Sequence, residues 1–150
     1  MKVYANLSDL QPLVGQDLAS SEWLTIEQSR IDQFAQATGD HQWIHVDAER
    51  AAAGPFGATV AHGFLTLSLL PLLSETSFAV SDVRMGINYG LNRVRFAAPV
   101  RVGSRLRAHF KLLSFEPLEG GAQLTVQATF EIEGQAKPAC VAESVSRRYV

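Results

Sequence analysis

The stretch Phe64-Leu65-Thr66-Leu67-Ser68-Leu69-Leu70-Pro71-Leu72-Leu73 is apolar around the whole circumference of a helix, and a helix of that kind has to be buried. The chain must therefore supply a surface that wraps it. The apolar block that begins at Val60 is interrupted by His62, Gly63 and Pro71 and is too short to cross a bilayer. Pro71 lacks an amide hydrogen and crowds the preceding turn, so a kink there or an end near Leu70 is expected.

The cover is legible further along. Leu106, Ala108, Phe110 and Leu112 alternate with Arg105, Arg107, His109 and Lys111, the pattern of a half-buried strand. Leu124, Val126, Ala128, Phe130 and Ile132 alternate with Gln123, Thr125, Gln127, Thr129 and Glu131, and Glu119-Gly120-Gly121 supplies the turn between the two runs. Another turn at residues 134–138 leads into a last strand at 141–149. An earlier strand over residues 88–96 stops at Ala98-Pro99-Val100, where proline marks an edge or an end. Residues 74–84 read as a connection.

The N-terminal part reads as helical. A turn-like lead, Leu13-Val14-Gly15-Gln16, runs into a short strand around residues 17–24. Thr25-Ile26-Glu27-Gln28 has the form of a capping box, which predicts a helix start. Ile31, Phe34, Ala35 and Thr38 follow on one face, and Gly39 sits where a left-handed residue would end the helix. Asp47 is suited to capping a short helix over residues 48–53, which Gly54-Pro55 breaks. Helices first, then long antiparallel strands around one apolar helix, is α+β segregation and resembles a hotdog fold. At 150 residues, with no repeats or linkers, one domain over residues 1–150 is expected.

With 19% charged residues and a formal net charge of −2, the chain offers no electrostatic case for nucleic acid or an anionic membrane. The single cysteine, Cys140, reads as a small buried hydrophobe. No apolar signal segment opens the chain, and a reducing cytoplasmic location is expected.

Asp40 follows Gly39 directly, and His45 lies five positions on, in what reads as a turn. Such a pair is open to two readings. Asp40 can cap the turn while His45 is a satisfied, half-buried histidine, or the two can hold one water, with Asp40 taking its proton and His45 relaying one. Gly63 heads the apolar helix, where the first amide hydrogens lack internal acceptors and favour negative charge. Without a Cβ it admits a carbonyl oxygen close to its N–H, or it is simply where the helix packs on a strand. His62 reads as structural, and His41 and His109 as solvent-facing. No His, Cys, Asp or Glu pair has metal-ligand spacing, so no metal is expected, and no phosphate loop or dinucleotide fingerprint is present.

Three segments carry a resemblance: Gly39-Asp40-His41-Gln42-Trp43-Ile44-His45, Ala61-His62-Gly63, and Val94-Arg95-Phe96-Ala97-Ala98-Pro99-Val100. In order and spacing the chain resembles the MaoC-like dehydratases, which include (R)-specific enoyl-CoA hydratases and nodulation protein N-like proteins. The resemblance implies that Asp40 and His45 form a catalytic dyad and that Gly63 N–H stabilises an oxyanion. It also implies an acyl-CoA thioester substrate, no cofactor beyond the coenzyme A that is part of that substrate, and a homodimer. Gln42-Trp43 replaces the family's Asn-Pro, as in the nodulation protein N-like branch. Arg84, Arg93, Arg95, Arg147 and Arg148 are cations available to coenzyme A phosphates. The implied reaction is (R)-specific hydration of a trans-2-enoyl-CoA. Alternatives on the same fold are an acyl-CoA thioesterase, disfavoured because no acidic residue occurs between Gly63 and Glu75, and a non-catalytic acyl-CoA binder.

Overall fold

Strand alternation in the C-terminal half builds the sheet. In the computed structural model, which describes residues 1–150, the elements run β1 (Lys2–Tyr4), a 3-10 helix (Leu7–Leu13), β2 (Asp17–Ser20), β3 (Leu24–Thr25), α1 (Gln28–Thr38), α2 (Trp43–Val46), α3 (Ala48–Ala52), α4 (Gly63–Ser68), α5 (Leu70–Glu75), β4 (Phe78–Val80), β5 (Met85–Arg95), β6 (Arg105–Leu118), β7 (Gly121–Ile132) and β8 (Cys140–Tyr149). The main sheet has the order β2-β6-β7-β8-β5, with β3 also paired to β6. All of its pairings are antiparallel.

Leu106, Ala108, Phe110 and Leu112 of β6 face inward beside Ala122, Leu124, Ala128, Phe130 and Ile132 of β7. Leu65, Leu69 and Leu73, at helical spacing along α4 and α5, join them in one core with Cys140 and Ala142. Each large side chain buried in this way contributes about 1.5–3 kcal/mol of transfer free energy. The fold is α+β, a hotdog arrangement in which the sheet packs on a central helix.

That helix is divided. Leu69 closes α4, and Pro71 occupies the first turn of α5, so its missing N–H removes no interior hydrogen bond. The expectation of burial on every side fails, because Phe64 is 70% exposed and Leu72 is 40% exposed. On β5, the sheet's edge strand, Met85, Ile87, Tyr89 and Leu91 are exposed as well. One copy of the chain covers one side of the helix only.

The capping box does not form. Thr25 pairs with Arg105 across β3 and β6, and the Ile26 amide donates to the Ser104 carbonyl, so this segment is committed to strand geometry and α1 starts at Gln28. The strand expected near residues 17–24 is split at Ser21. Its N–H donates to the Ala108 carbonyl and its hydroxyl accepts from the Ala108 amide, both at 2.9 Å. Residues 74–84, expected as a connection, contain β4, which pairs in parallel with β1.

Candidate functional site

Helix α1 is pinned by Ile31 and Ala35, both fully buried. Gly39 ends it at φ 82°, donating its amide to the Ala35 carbonyl at 2.8 Å. A left-handed φ of this kind suits glycine and turns the chain sharply. Asp40 therefore leaves a rigid helix end, exposed, with its carboxylate accepting from the Gln42 amide at 3.3 Å.

The segment that follows is not a simple turn. Residues 43–46 form the single helical turn α2, which carries His45 inward, where it is only 6% exposed. Three bonds fix it. His45 Nδ1 lies 2.6 Å from the Val60 carbonyl, the Val60 amide donates to the Ile44 carbonyl at 3.0 Å, and Gln28 Nε2 donates to the His45 carbonyl at 2.8 Å. Gln28 Oε1 in turn accepts from the Thr59 hydroxyl. Gln28 thus anchors the histidine rather than capping its own helix. Because Nδ1 faces a carbonyl, the neutral ring carries its proton there and leaves Nε2 as an acceptor.

Trp43, where the family pattern has proline, packs against Gly54, at which a Cβ would meet its ring at 3.1 Å. The Arg50 guanidinium lies 4.4 Å over the same ring. This packing holds α2 against α3, and the Asp47 side chain caps α3 by accepting from the Arg50 amide.

His62 enters from the other side. Its ring stacks on His45 with centroids 3.8 Å apart and planes inclined by 23°, and its Nε2 lies 3.0 Å from the Asp40 carbonyl. Ligand-type atoms of Asp40, His45 and His62 all fall within 4.8 Å of one another. Spacing along the chain suggested no such trio, and His62 is the member that sequence reasoning set aside. The two rings stack nearly parallel and each commits one nitrogen to a carbonyl, while His62 Nδ1 is buried without a partner. Burial, the largest influence, pulls the His45 pKa below its usual 6.5, the Val60 carbonyl opposes that, neighbouring His62 lowers it further, and Asp40 raises it.

Gly63 opens α4 directly after His62. A Cβ there would press on the Phe96 ring at 3.1 Å, so its bareness serves close packing, and its N–H belongs to the helix's first turn, which has no intrahelical acceptor. Phe96 is a contact that alternation alone did not single out. His41 is exposed, as expected. Of the arginines, Arg93 and Arg95 are exposed, and Arg147 lies 3.8 Å over the Tyr89 ring.

The family model described as "MaoC like domain" matches residues 9–133. The chain is 56% identical over 148 residues to 3-hydroxyacyl-thioester dehydratase Z of Mycobacterium tuberculosis, covering 98% of each chain. It is 48% identical over 145 residues to nodulation protein N of Rhizobium leguminosarum bv. viciae, covering 94% of this chain and 89% of the other. Among solved structures, the (R)-hydratase from A. caviae involved in PHA biosynthesis superposes with a TM-score of 0.70 at 23% identity, covering 89% of this chain and 94% of that one.

Proposed function

This chain belongs to the MaoC-like dehydratase family, and from that premise we propose that it catalyses the reversible, (R)-specific hydration of trans-2-enoyl-CoA to (R)-3-hydroxyacyl-CoA. The observation that carries the reading is the approach of the Asp40 carboxylate to a buried, neutral His45 with a free Nε2.

Two acceptors side by side hold one water by its two hydrogens and leave an oxygen lone pair for the substrate's β-carbon. As the C–O bond forms, the π electrons of the double bond move toward the thioester oxygen, where Gly63 N–H stabilises the charge. Asp40 takes one proton from water and that same proton, relayed through His45 Nε2, is delivered to the α-carbon, so both side chains end as they began and the net change is addition of H and OH across the double bond. The reverse sequence dehydrates the hydroxyacyl thioester.

In this reading the exposed apolar side chains of β5, with Phe64 and Leu72, are covered by a second copy, giving a homodimer. Sedimentation at micromolar concentration tests this, a monomer being the contrary result. Cytoplasmic placement agrees with a lone buried thiol, Cys140, whose pKa burial pushes up to about 11.

The direct assay incubates the protein with crotonyl-CoA and follows enoyl absorbance together with free thiol. Loss of absorbance without thiol is expected. Thiol release would instead identify a thioesterase, and binding with neither change a non-catalytic acyl-CoA binder.

A further inference from the structure

The inner face of the sheet changes character along β8. Cys140 and Ala142 lie in dry core, whereas Ser144, Ser146 and Arg148, the next residues on that face, line the space beneath α5. Asn88 of β5, paired with Ser146, and Ser74 of α5 complete the lining. Of these five, Ser74, Ser144 and Ser146 are buried and Asn88 is exposed; none of the five side chains makes a hydrogen bond to the protein, and their polar atoms open onto the cavity.

Room is set aside for the arginine. A Cβ on Gly86, its partner across β5 and β8, would overlap the Arg148 guanidinium. The cavity measures about 320 Å³. Glu75 is the one carboxylate in its lining; it is exposed and acts on Arg148 through its charge, without a direct ion pair.

The cavity does not stand alone. A neighbouring compartment of about 360 Å³ shares Leu70, Pro71 and Asn88 with it and extends past Ser68 to Leu67 and Leu91. Leu67 is about one helical turn from Gly63, and Ser74 about 16 Å of helix rise from it. The trough thus runs along the central helix from Leu67 to the end that holds Arg148, with its charged side chains, Glu75 and Arg148, at that far end.

We propose that the polar end of this trough receives a carboxylate at the tip of the substrate's acyl chain, with Arg148 as the residue that selects it. The inference rests on the hydratase reading above and deepens it, by making ω-carboxylated enoyl thioesters the preferred long substrates. Arg148 supplies a planar fork of donors and no acceptor, which matches a carboxylate. Ser144, Ser146, Ser74 and Asn88 supply further donors. A methyl-ended chain of the same length would enclose these groups without partners, at a cost in binding.

The test compares trans-2-dodecenoyl-CoA with its counterpart ending in a carboxylate, with crotonyl-CoA as a substrate too short to reach the cavity. Wild-type protein is expected to favour the carboxylated chain in kcat/KM by about tenfold or more. Arg148→Met is expected to reverse or abolish that ratio, and Ser146→Ala to reduce it. The ratio is internal to each variant, so partial loss of folded protein does not imitate the effect. A wild-type preference for the methyl-ended chain, or a ratio unchanged in Arg148→Met, overturns the inference. If wild-type hydrates none of the three substrates, the hydratase reading fails. The cavity is then judged by calorimetric binding of the two saturated acyl-CoA esters, where equal affinities overturn it and tighter binding of the carboxylated ester, lost in Arg148→Met, supports it.

Discussion

Two histidines in this molecule lie close to carboxylates, and the fold treats them in opposite ways. His109 sits on the outer face of the sheet with both ring nitrogens occupied, Nε2 at 2.6 Å from Glu131 Oε2 and Nδ1 at 2.7 Å from the Ser20 hydroxyl. Glu131 also accepts from Arg107 at 2.6 Å. Hydrogen bonds from Arg107 first, and His109 second, hold the Glu131 carboxyl below the usual carboxylate range. His45 is buried and uses one nitrogen on a backbone carbonyl, near Asp40 but without a hydrogen bond to it. A serine, a histidine and an acid in contact on a wet sheet surface resemble a catalytic set on paper, yet their donors and acceptors are consumed by one another. His45 keeps one ring nitrogen and Asp40 one carboxylate oxygen without a protein partner, and in the proposed reading these two hold the reacting water.

The sharpest way to break this comparison is substitution on both sides. Asp40→Asn and His45→Gln are each expected to lower kcat by about 100-fold or more, while His109→Gln and Glu131→Gln leave crotonyl-CoA hydration essentially unchanged. Full activity in either of the first pair, or loss in either of the second, would reverse the assignment. Gln28→Leu should have a smaller effect, about tenfold in kcat, because it frees the His45 carbonyl and the Thr59 hydroxyl without touching substrate. Steady-state kinetics read it, and a change confined to KM would argue against a positioning role.

The pH dependence separates the two clusters further. The folded state lowers the His45 pKa from 6.5 and so favours the neutral ring. Its contribution to stability is complete above that value and is lost as pH falls below it. Activity that needs a neutral ring should therefore keep an acidic limb below 6.5 in the kcat/KM profile, and a limb above that value would contradict the burial argument. Glu131 behaves with the same sign in a more acidic window. Its folded pKa is depressed from 4.5, so its contribution is present above that value and is lost as pH falls through the lowered one. Surface pairs of this kind contribute about 0–1 kcal/mol, and Glu131→Gln should lower the unfolding free energy from denaturant titration by no more than that.

How much of this was legible along the chain depended on how local each cause is. Alternation from Gln123 to Ile132, the left-handed stop at Gly39 and the Asp47 cap are properties of a few adjacent residues, and each formed as read. Thr25 to Gln28 carried an equally local capping signal, but β6 claims Thr25 from eighty positions away and Gly103 and Ser104 just before it claim Ile26, and strand pairing outweighs a cap. Strands β1 and β4 are too short to show alternation, and only their mutual pairing defines them. The Asp40 and His45 positions could be named from sequence. The stacking of His62 on His45 could not, because it depends on where α4 is set against α1 and α2.

The central claim is that Asp40 and His45 together deliver water to one face of an enoyl thioester. Chiral analysis of the product formed from crotonyl-CoA by the wild-type protein and by Asp40→Asn, at equal enzyme concentration, tests it most directly. The expected result is (R)-3-hydroxybutyryl-CoA from wild-type and about a hundredth as much or less from the variant. An (S) product, or equal yields from the two proteins, would contradict it.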